Sequence, residues 1–322
     1  MENIQAAFRS RRPCVTRVNA DTSWVISLPC PKDRQNGRLR FNILIDPWFQ
    51  GSQREWFGTQ WHQVKSSVQK IKDLDRLLCE AESNSSTIPG SFIDLVVISH
   101  EMTDHCHKTT LLEIMPSVPV FASPLAAALI RSWNYFHTVV DIPTESIGLG
   151  WRESSVPPLP HWIGISRLSH NSPIYPPIYA AVLVLFEDFE SSSEAAEAIV
   201  YSPHGIDAAK LSILSSAQPA IRPLALIHGL HQVTLAGFDA NFGAPNAIDI
   251  LREIGAKYWF DTHGEVKAVT GIISWFLGRK NYSMAQITEY AASVHVEDDR
   301  EKSQSDDILC VPLENGETFT LQ

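Results

Sequence analysis

A short apolar run from Asp94 to Ser99 leads directly into a group of histidines, and this junction constrains the fold more than any other segment. The run is rich in β-branched residues and predicts a buried strand. His100, Asp104, His105 and His107 follow it within eight residues. Metal-capable side chains at the end of a buried strand are typical of the sites of α/β enzymes.

Other histidines repeat this placement. Eight of the twelve histidines fall in five short clusters, and each cluster begins within a few residues of an apolar or β-branched run. Besides the first cluster, these are His170, His204, the pair His228 and His231, and His263. So many histidines in strand-end positions favour one shared site.

Cysteine and charge patterns narrow the class of protein. The five cysteines are an odd number without CxxC spacing, which argues against a disulfide framework and a structural zinc knuckle. With 36 acidic and 26 basic residues the net charge is −10. The sequence has no basic patch interleaved with aromatic residues, so nucleic acid is not an expected partner. Neither a signal-type apolar segment nor a run of about 18 apolar residues is present. We therefore expect a cytoplasmic protein with a small-molecule substrate and no membrane partner.

The first half alternates strands and helices. Strands are predicted at Val15–Ala20, Trp24–Leu28 and Phe41–Ile45, the last ending in Asp46. Apolar positions at three- and four-residue spacing predict a helix over Trp61–Glu82. A helix, a strand and a second helix are predicted after the His100 cluster. This alternation indicates a largely buried sheet covered by helices.

The second half repeats the plan. Helices are predicted at Asp207–Ser216 and Ala247–Ile254, the second with Asn246 as its N-cap, and a C-terminal hairpin is predicted over 308–321. Strands are predicted at Ile163–Leu168, Tyr179–Phe186, Ala198–Tyr201, Leu224–Ile227 and Lys257–Phe260. The sequence therefore predicts a single domain over 1–322, with pseudo-repeated halves at about 12–150 and 160–295.

These features together resemble the metallo-β-lactamase fold superfamily, which implies an α/β (α+β) protein built as a four-layer αββα sandwich. The resemblance covers roughly Val15 to Arg279. The motif positions in order are Asp46 as a supporting carboxylate, then His100, Asp104 and His105 of the pattern HxHxDH, then His170, His204 and His263. The run Asp104–His107, giving HxxxDHCH, is most similar to a fungal-type branch of the superfamily.

Two departures from the family pattern bear on the metal. Met102 stands where the second histidine of HxHxDH is expected, and a thioether is a poor ligand for a hard or borderline ion. His204 stands where the family has a bridging aspartate, and a neutral imidazole offers a single lone pair. The resemblance therefore implies one divalent ion and not two. Its ligands are either Asp104, His105 and His263 with His204 as a possible fourth, or His100, His170 and His204; the sequence does not choose between these sets.

The implied activity is that of a metal-dependent hydrolase in small-molecule metabolism. Zinc is the expected ion, with iron or manganese as alternatives, and a metal-bound hydroxide would attack an ester, thioester or lactone carbonyl. Asp104 would orient the nucleophile, and His107, His228 or His231 would serve the leaving group. For each of these three histidines a structural role, as a helix cap or a buried hydrogen-bonding group, is as well supported as a catalytic one. Two further alternatives stay open: a lyase, isomerase or cyclase that uses a metal-free histidine site, and a catalytically silent binding protein.

Overall fold

The chain divides into two compact units in a computed structural model, which describes residues 2–31, 37–54, 60–62, 66–82, 91–144, 150–169, 178–188, 194–265, 268–283, 285–287, 289–290 and 308–322. Unit 1 comprises Met1–Ile142, Glu265–Gly271 and Leu313–Gln322, and unit 2 comprises Pro143–Gly264 and Ile272–Pro312. The prediction of a single domain with pseudo-repeated halves stays a prediction. The two late segments of unit 1 were not predicted.

The elements are mostly strands. In chain order the strands are β1 (Cys14–Arg17), β2 (Trp24–Pro29), β3 (Arg40–Ile45), β4 (Ser52–Arg54), β5 (Gln60–His62), β6 (Leu95–Ile98), β7 (Val120–Ala122), β8 (Val139–Asp141), β9 (Ile163–Ser169), β10 (Ala180–Glu187), β11 (Ala196–Ser202), β12 (Ile221–Gly229), β13 (Gln232–Leu235), β14 (Phe238–Asn241), β15 (Tyr258–Thr262), β16 (Ala268–Thr270), β17 (Leu277–Lys280), β18 (Leu309–Val311) and β19 (Thr318–Thr320). The α-helices are α1 (Glu2–Arg9), α2 (Ile71–Glu82), α3 (Lys108–Leu111), α4 (Pro124–Ser132), α5 (Ser212–Ser215) and α6 (Gly243–Ile254). No helix among the described residues is long and apolar enough to span a bilayer.

The main sheet of unit 1 has the strand order β19-β1-β2-β3-β6-β7-β8. Its first four strands pair antiparallel, and β3, β6, β7 and β8 pair parallel. Ile71, Leu74 and Leu78 of α2 belong to one buried apolar cluster with Val96 and Ile98 of β6. Because β3 and β6 are parallel neighbours, their carboxyl ends lie side by side, and the side chains that follow them are brought together.

The main sheet of unit 2 has the order β18-β15-β12-β11-β10-β9. Strands β9 to β11 pair antiparallel, and β11, β12, β15 and β18 pair parallel. His204 and His263 follow the carboxyl ends of β11 and β15, and His228 lies near the end of β12. The strand-end placement predicted for these histidines is therefore confirmed within unit 2.

The helix predicted over Trp61–Glu82 is wrong in its first part. Gln60–His62 forms β5, which pairs with β4 and β16 in a small sheet, and the helix begins only at Ile71. Ser67 donates both its backbone N–H and its hydroxyl to the carbonyl of Val18, at 2.9 and 2.6 Å. These hydrogen bonds to a residue 49 positions away outweigh the local helical spacing before Ile71.

Two further expectations need correction. Asn246 does not cap a helix, because α6 already begins at Gly243; its amide donates to the Ile206 carbonyl at 2.8 Å and its oxygen accepts the Ile206 N–H at 3.2 Å. The segment 308–321 does not form a hairpin, because β18 pairs with β15 and β19 pairs with β1. In both cases a long-range partner replaces the local one that the sequence suggested.

A second small sheet, in unit 2, was also missed. It has the order β14-β13-β17 and consists of four-residue strands. Strands this short carry too few alternations to be distinguished from loops by periodicity.

Candidate metal centre

Asp46 follows β3 in a left-handed backbone conformation, with a φ of 42°. This conformation is uncommon outside glycine, and backbone hydrogen bonds help to hold it here. The Asp46 N–H donates to the Val97 carbonyl at 3.0 Å, and the Asp46 carbonyl accepts the Ser23 hydroxyl at 2.9 Å. Backbone strain of this kind tends to occur at functional sites.

The Asp46 carboxylate collects hydrogen bonds from the end of β6. Its Oδ1 accepts the backbone N–H of Ser99 at 2.8 Å. Its Oδ2 lies 2.5 Å from the Ser99 hydroxyl and 2.6 Å from Nδ1 of His105. Because a carboxylate can only accept, His105 carries its proton on Nδ1 and leaves Nε2 with a lone pair.

Ser99 extends the same arrangement to His100. The Ser99 hydroxyl has one proton, which it donates to Asp46, so at 2.9 Å it accepts from Nδ1 of His100. His100 therefore also presents Nε2 as a lone pair. The two rings lie with their centroids 3.8 Å apart, and both are buried. Hydrogen bonds that fix histidine tautomers in this way are the usual support of metal-binding histidines.

Asp104 stands beside His105 with its two oxygens in different surroundings. Oδ1 accepts the side-chain amide of Gln53 at 2.9 Å, while Oδ2 lies 3.8 Å from Nε2 of His105. The second distance is too long for a hydrogen bond. It is close to the separation of about 3.4 Å expected for two ligands that share one tetrahedral zinc ion.

Electrostatics in unit 1 also favour a cation. Burial by itself lowers the pKa of His105, but the carboxylates of Asp104 and Asp46 outweigh that effect and raise the pKa above its ordinary value. A field that attracts a proton to a buried imidazole also attracts a metal ion, which must displace that proton in order to bind.

His107 and Cys106 have structural surroundings. Nδ1 of His107 accepts the Thr110 backbone N–H at 3.3 Å and lies 2.8 Å from the Thr110 hydroxyl, so His107 is the N-cap of α3. Burial lowers the pKa of His107 despite the nearby Asp104. Cys106 is buried in the apolar cluster of unit 1, and burial raises the pKa of its thiol. The catalytic assignment of His107 stays a prediction.

In unit 2, His204 and His263 lie close together, with ring centroids 4.9 Å apart. Nδ1 of His204 lies 2.7 Å from the Ala240 carbonyl, which can only accept, so Nε2 of His204 carries the lone pair. His263 directly follows β15 and, like Asp46, has a left-handed backbone conformation, with a φ of 57°.

His228 and His231 differ in their surroundings within unit 2. His228 is fully buried, and its nitrogens lie 2.8 Å from the Gly229 carbonyl and 3.1 Å from Oδ1 of Asn246. Burial lowers the pKa of His228 to about 4, although both hydrogen bonds favour the proton. His231 is half-buried, and its Nδ1 accepts the Tyr282 N–H at 3.3 Å. Burial, with Arg279 nearby, lowers the pKa of His231 to about 4. The catalytic assignments of both histidines stay predictions.

The remaining predicted ligand, His170, lies outside the described residues. Sequence reasoning missed Ser99 and Gln53. Ser99 could have been found as the hydroxyl residue directly before the His100 cluster, whereas Gln53 carries no local signal.

The side chains present fit a metal ion. In unit 1, two buried histidines have tautomers that expose Nε2, and ligand atoms of His100 and Asp104 each lie within 4.8 Å of one on His105. Nitrogen and oxygen ligands of this kind suit zinc and other first-row divalent ions. The described residues thus include histidine and aspartate groups that could bind a metal.

Comparison with known proteins shows which known fold this architecture matches. No protein-family model matches the chain, and no curated protein matches it in sequence. Among solved structures, the metallo-β-lactamase fold protein YhfI from Bacillus subtilis matches with a TM-score of 0.50 at 14% identity, over 96% of this chain and 99% of that one. The chain has the metallo-β-lactamase fold.

Other structures with this fold extend the likeness. A possible metal-dependent hydrolase from Veillonella parvula matches with a TM-score of 0.58 at 15% identity, over 96% of this chain and 100% of that chain. A metallo hydrolase from the archaeon Ignicoccus hospitalis matches with a TM-score of 0.54 at 13% identity, over 96% and 98%. Matches at these identities establish the metallo-β-lactamase fold and leave the activity to be argued from the site. The narrower likeness to a fungal-type branch stays a prediction.

Proposed function

We propose that this protein is a mononuclear metal-dependent hydrolase that cleaves an ester, thioester or lactone of a small molecule, with zinc as its ion. The observation that carries the proposal is the pair of hydrogen-bonded histidines in unit 1. Asp46 fixes His105 and Ser99 fixes His100, so that each ring presents Nε2 as a ligand atom. If these two buried rings served only to pack the core, apolar side chains would do so at a lower cost.

The structural neighbours support the same class of activity. The proteins from Veillonella parvula and Ignicoccus hospitalis are described as a possible metal-dependent hydrolase and a metallo hydrolase. Their likeness covers nearly the whole of this chain. The likeness supports the choice of a hydrolase, and the residues of this chain must supply the argument for its chemistry.

Within unit 1, His105 and Asp104 are the proposed ligands, with His100 next to them. Held by these residues, a divalent ion would lower the pKa of bound water from about 15.7 to about 7 and would so supply a nucleophile at neutral pH. Asp46 and Ser99 hold the ligand rings and keep their Nδ1 atoms protonated. The assignments of His170, His204 and His263 as further ligands stay predictions of the sequence.

His107 and His231 are proposed to assist by hydrogen bonding. Each accepts a backbone N–H at Nδ1, so its neutral ring carries a proton on Nε2. Because the pKa of each is lowered, both rings are neutral at pH 7. A neutral Nε2–H can donate a hydrogen bond to the oxygen of a carbonyl or leaving group without releasing its proton.

Elemental analysis of the purified protein tests the proposal. We expect about one equivalent of metal in the wild type, and much less in His105→Ala and in Asp104→Ala. His137→Ala changes an exposed histidine and is the matched control, which should keep the metal. Hydrolysis of a panel of esters, thioesters and lactones should follow the metal content across these proteins.

Two results would decide against the hydrolase. A folded wild type that binds no metal when zinc, iron and manganese are offered would favour the alternative of a metal-free acid/base site. The departures from the family pattern at Met102 and His204 already favour that alternative. A metal-loaded protein without activity on any of the three substrate classes would restrict the proposal to metal binding.

A further inference from the structure

Gln53 hydrogen-bonds a carboxylate oxygen of the proposed ligand Asp104. Gln53 lies in β4, is buried, and pairs across the small sheet of unit 1 with Trp61 of β5. Its amide donates to Oδ1 of Asp104 at 2.9 Å. The sequence gives no reason to place position 53 next to position 104, so the contact is a product of the fold.

We propose that Gln53 is a positioning residue that holds Asp104 as a one-oxygen ligand and thereby limits the centre to a single ion. The inference rests on the proposed function, because it requires that Asp104 binds metal. Its basis is the division of the Asp104 carboxylate, with Oδ1 on the Gln53 amide and Oδ2 toward Nε2 of His105.

The chemistry of the donor explains why an amide suits this role. An amide N–H is neutral, so it occupies Oδ1 without cancelling the negative charge that Asp104 offers to a cation. A lysine or arginine in the same place would form an ion pair and weaken that attraction. The N–H dipole also points its positive end at Oδ1, which opposes the approach of a second cation from that side.

The backbone of Asp104 is fixed independently of this contact. The hydroxyl of Thr22 donates to the Asp104 carbonyl at 2.8 Å, and both residues are buried. Removing the Gln53 amide should therefore take away one hydrogen bond that orients the carboxylate while the backbone stays in place. The consequence should appear in metal binding more than in folding.

The test compares Gln53→Leu with Gln50→Leu. Gln50 is three residues earlier and makes its side-chain contact with Glu113, at 3.5 Å. Affinity for zinc is measured by competition with a chelator, coordination by the visible spectrum of the cobalt(II) protein, and folding by urea denaturation. We expect Gln53→Leu to lose roughly 10- to 100-fold in affinity, the range typical for groups that orient metal ligands, and to change the cobalt spectrum. Gln50→Leu should stay within about twofold of the wild type, since surface changes away from such contacts have small effects.

Gln53→Glu decides the matter if Gln53→Leu does not fold. It keeps the size of the side chain but places a carboxylate against Asp104, which creates a second site for a hard cation. We expect bound metal to rise from one equivalent toward two. A folded Gln53→Leu with unchanged affinity and spectrum, or Gln53→Glu with one equivalent at wild-type affinity, overturns the inference.

The outcomes separate this inference from the proposed function. Because affinity and spectrum are measured without substrate, a wild type that binds metal but hydrolyses nothing still tests Gln53. A wild type that hydrolyses substrate alongside an unaffected Gln53→Leu removes the inference and leaves the function. A wild type that binds no metal refutes both.

Discussion

Nδ1 of His105 lies 2.6 Å from Oδ2 of Asp46, and both side chains are fully buried. The contact joins Asp46, which directly follows β3, to the segment that follows β6, the parallel neighbour of β3. It is short, charge-assisted and shielded from water, which makes it one of the strongest hydrogen bonds available to a neutral imidazole. Its main effect is on the other side of the ring, where it decides that Nε2 is a lone pair.

Replacing Asp46 with asparagine tests this effect. In Asp46→Asn an amide N–H can face Nδ1 of His105, which favours the tautomer that carries its proton on Nε2. We expect zinc affinity to fall by roughly 10- to 100-fold, as is typical for second partners of metal-bound histidines. Chelator competition measures the change. Unchanged affinity in a folded variant would show that Asp46 does not set the tautomer.

Removing the Ser99 hydroxyl should have a similar effect through His100. In Ser99→Ala the Nδ1–H of His100 loses its acceptor, and an unpaired buried donor of this kind costs about 1–3 kcal/mol. We expect lower metal affinity together with reduced resistance to urea. Ser99→Thr keeps the hydroxyl and is the matched control. Equal losses in both variants would show that the Ser99 hydroxyl is not what supports metal binding.

The two interpretations of His107 can be separated by a pair of substitutions. Asparagine is a good N-cap and alanine is a poor one, so His107→Ala should lose about 1 kcal/mol of unfolding free energy while His107→Asn loses little. If the imidazole also assists catalysis, both variants should lose activity. Urea denaturation and kcat/KM on one cleaved substrate distinguish the roles. An active His107→Asn would leave His107 as a helix cap alone.

The stability of the metal-free protein should depend on pH through His228. Its pKa is about 4 in the folded protein against an ordinary value of 6.5, so the unfolded chain binds the proton more readily between these values. The free energy of unfolding must therefore fall as the pH is lowered through this window, and His228 alone should contribute a loss of about 2 kcal/mol from pH 7.5 to pH 5.

Urea denaturation of the wild type and His228→Gln at both pH values measures that contribution as a difference. His137→Gln, at an exposed position, controls for the loss of one histidine. The pH-dependent loss should be smaller in His228→Gln and unchanged in His137→Gln. Identical losses in all three proteins would mean that His228 is not held neutral by the fold.

The placement of Asp46 and of the His100 cluster could be predicted, because a buried strand and its polar end are adjacent in sequence. The residues that connect them could not all be found in that way. Gln53 reaches Asp104 across 51 residues, and nothing in its neighbours marks it. Asn246 shows the opposite failure, since a good local capping residue is instead used 40 residues away at Ile206. For both Gln53 and Asn246, a long-range hydrogen bond and not local propensity decides how the polar side chain is used.

The pairing of β19 with β1 imposes an order on biosynthesis. Thr318–Thr320 forms the outermost strand of the sheet in unit 1 and aligns with Cys14–Thr16. A ribosome makes these residues only after the whole of unit 2, at about 5–20 residues per second. The edge of β1 thus waits roughly 15–60 s for its partner, and during that interval it can pair with another strand.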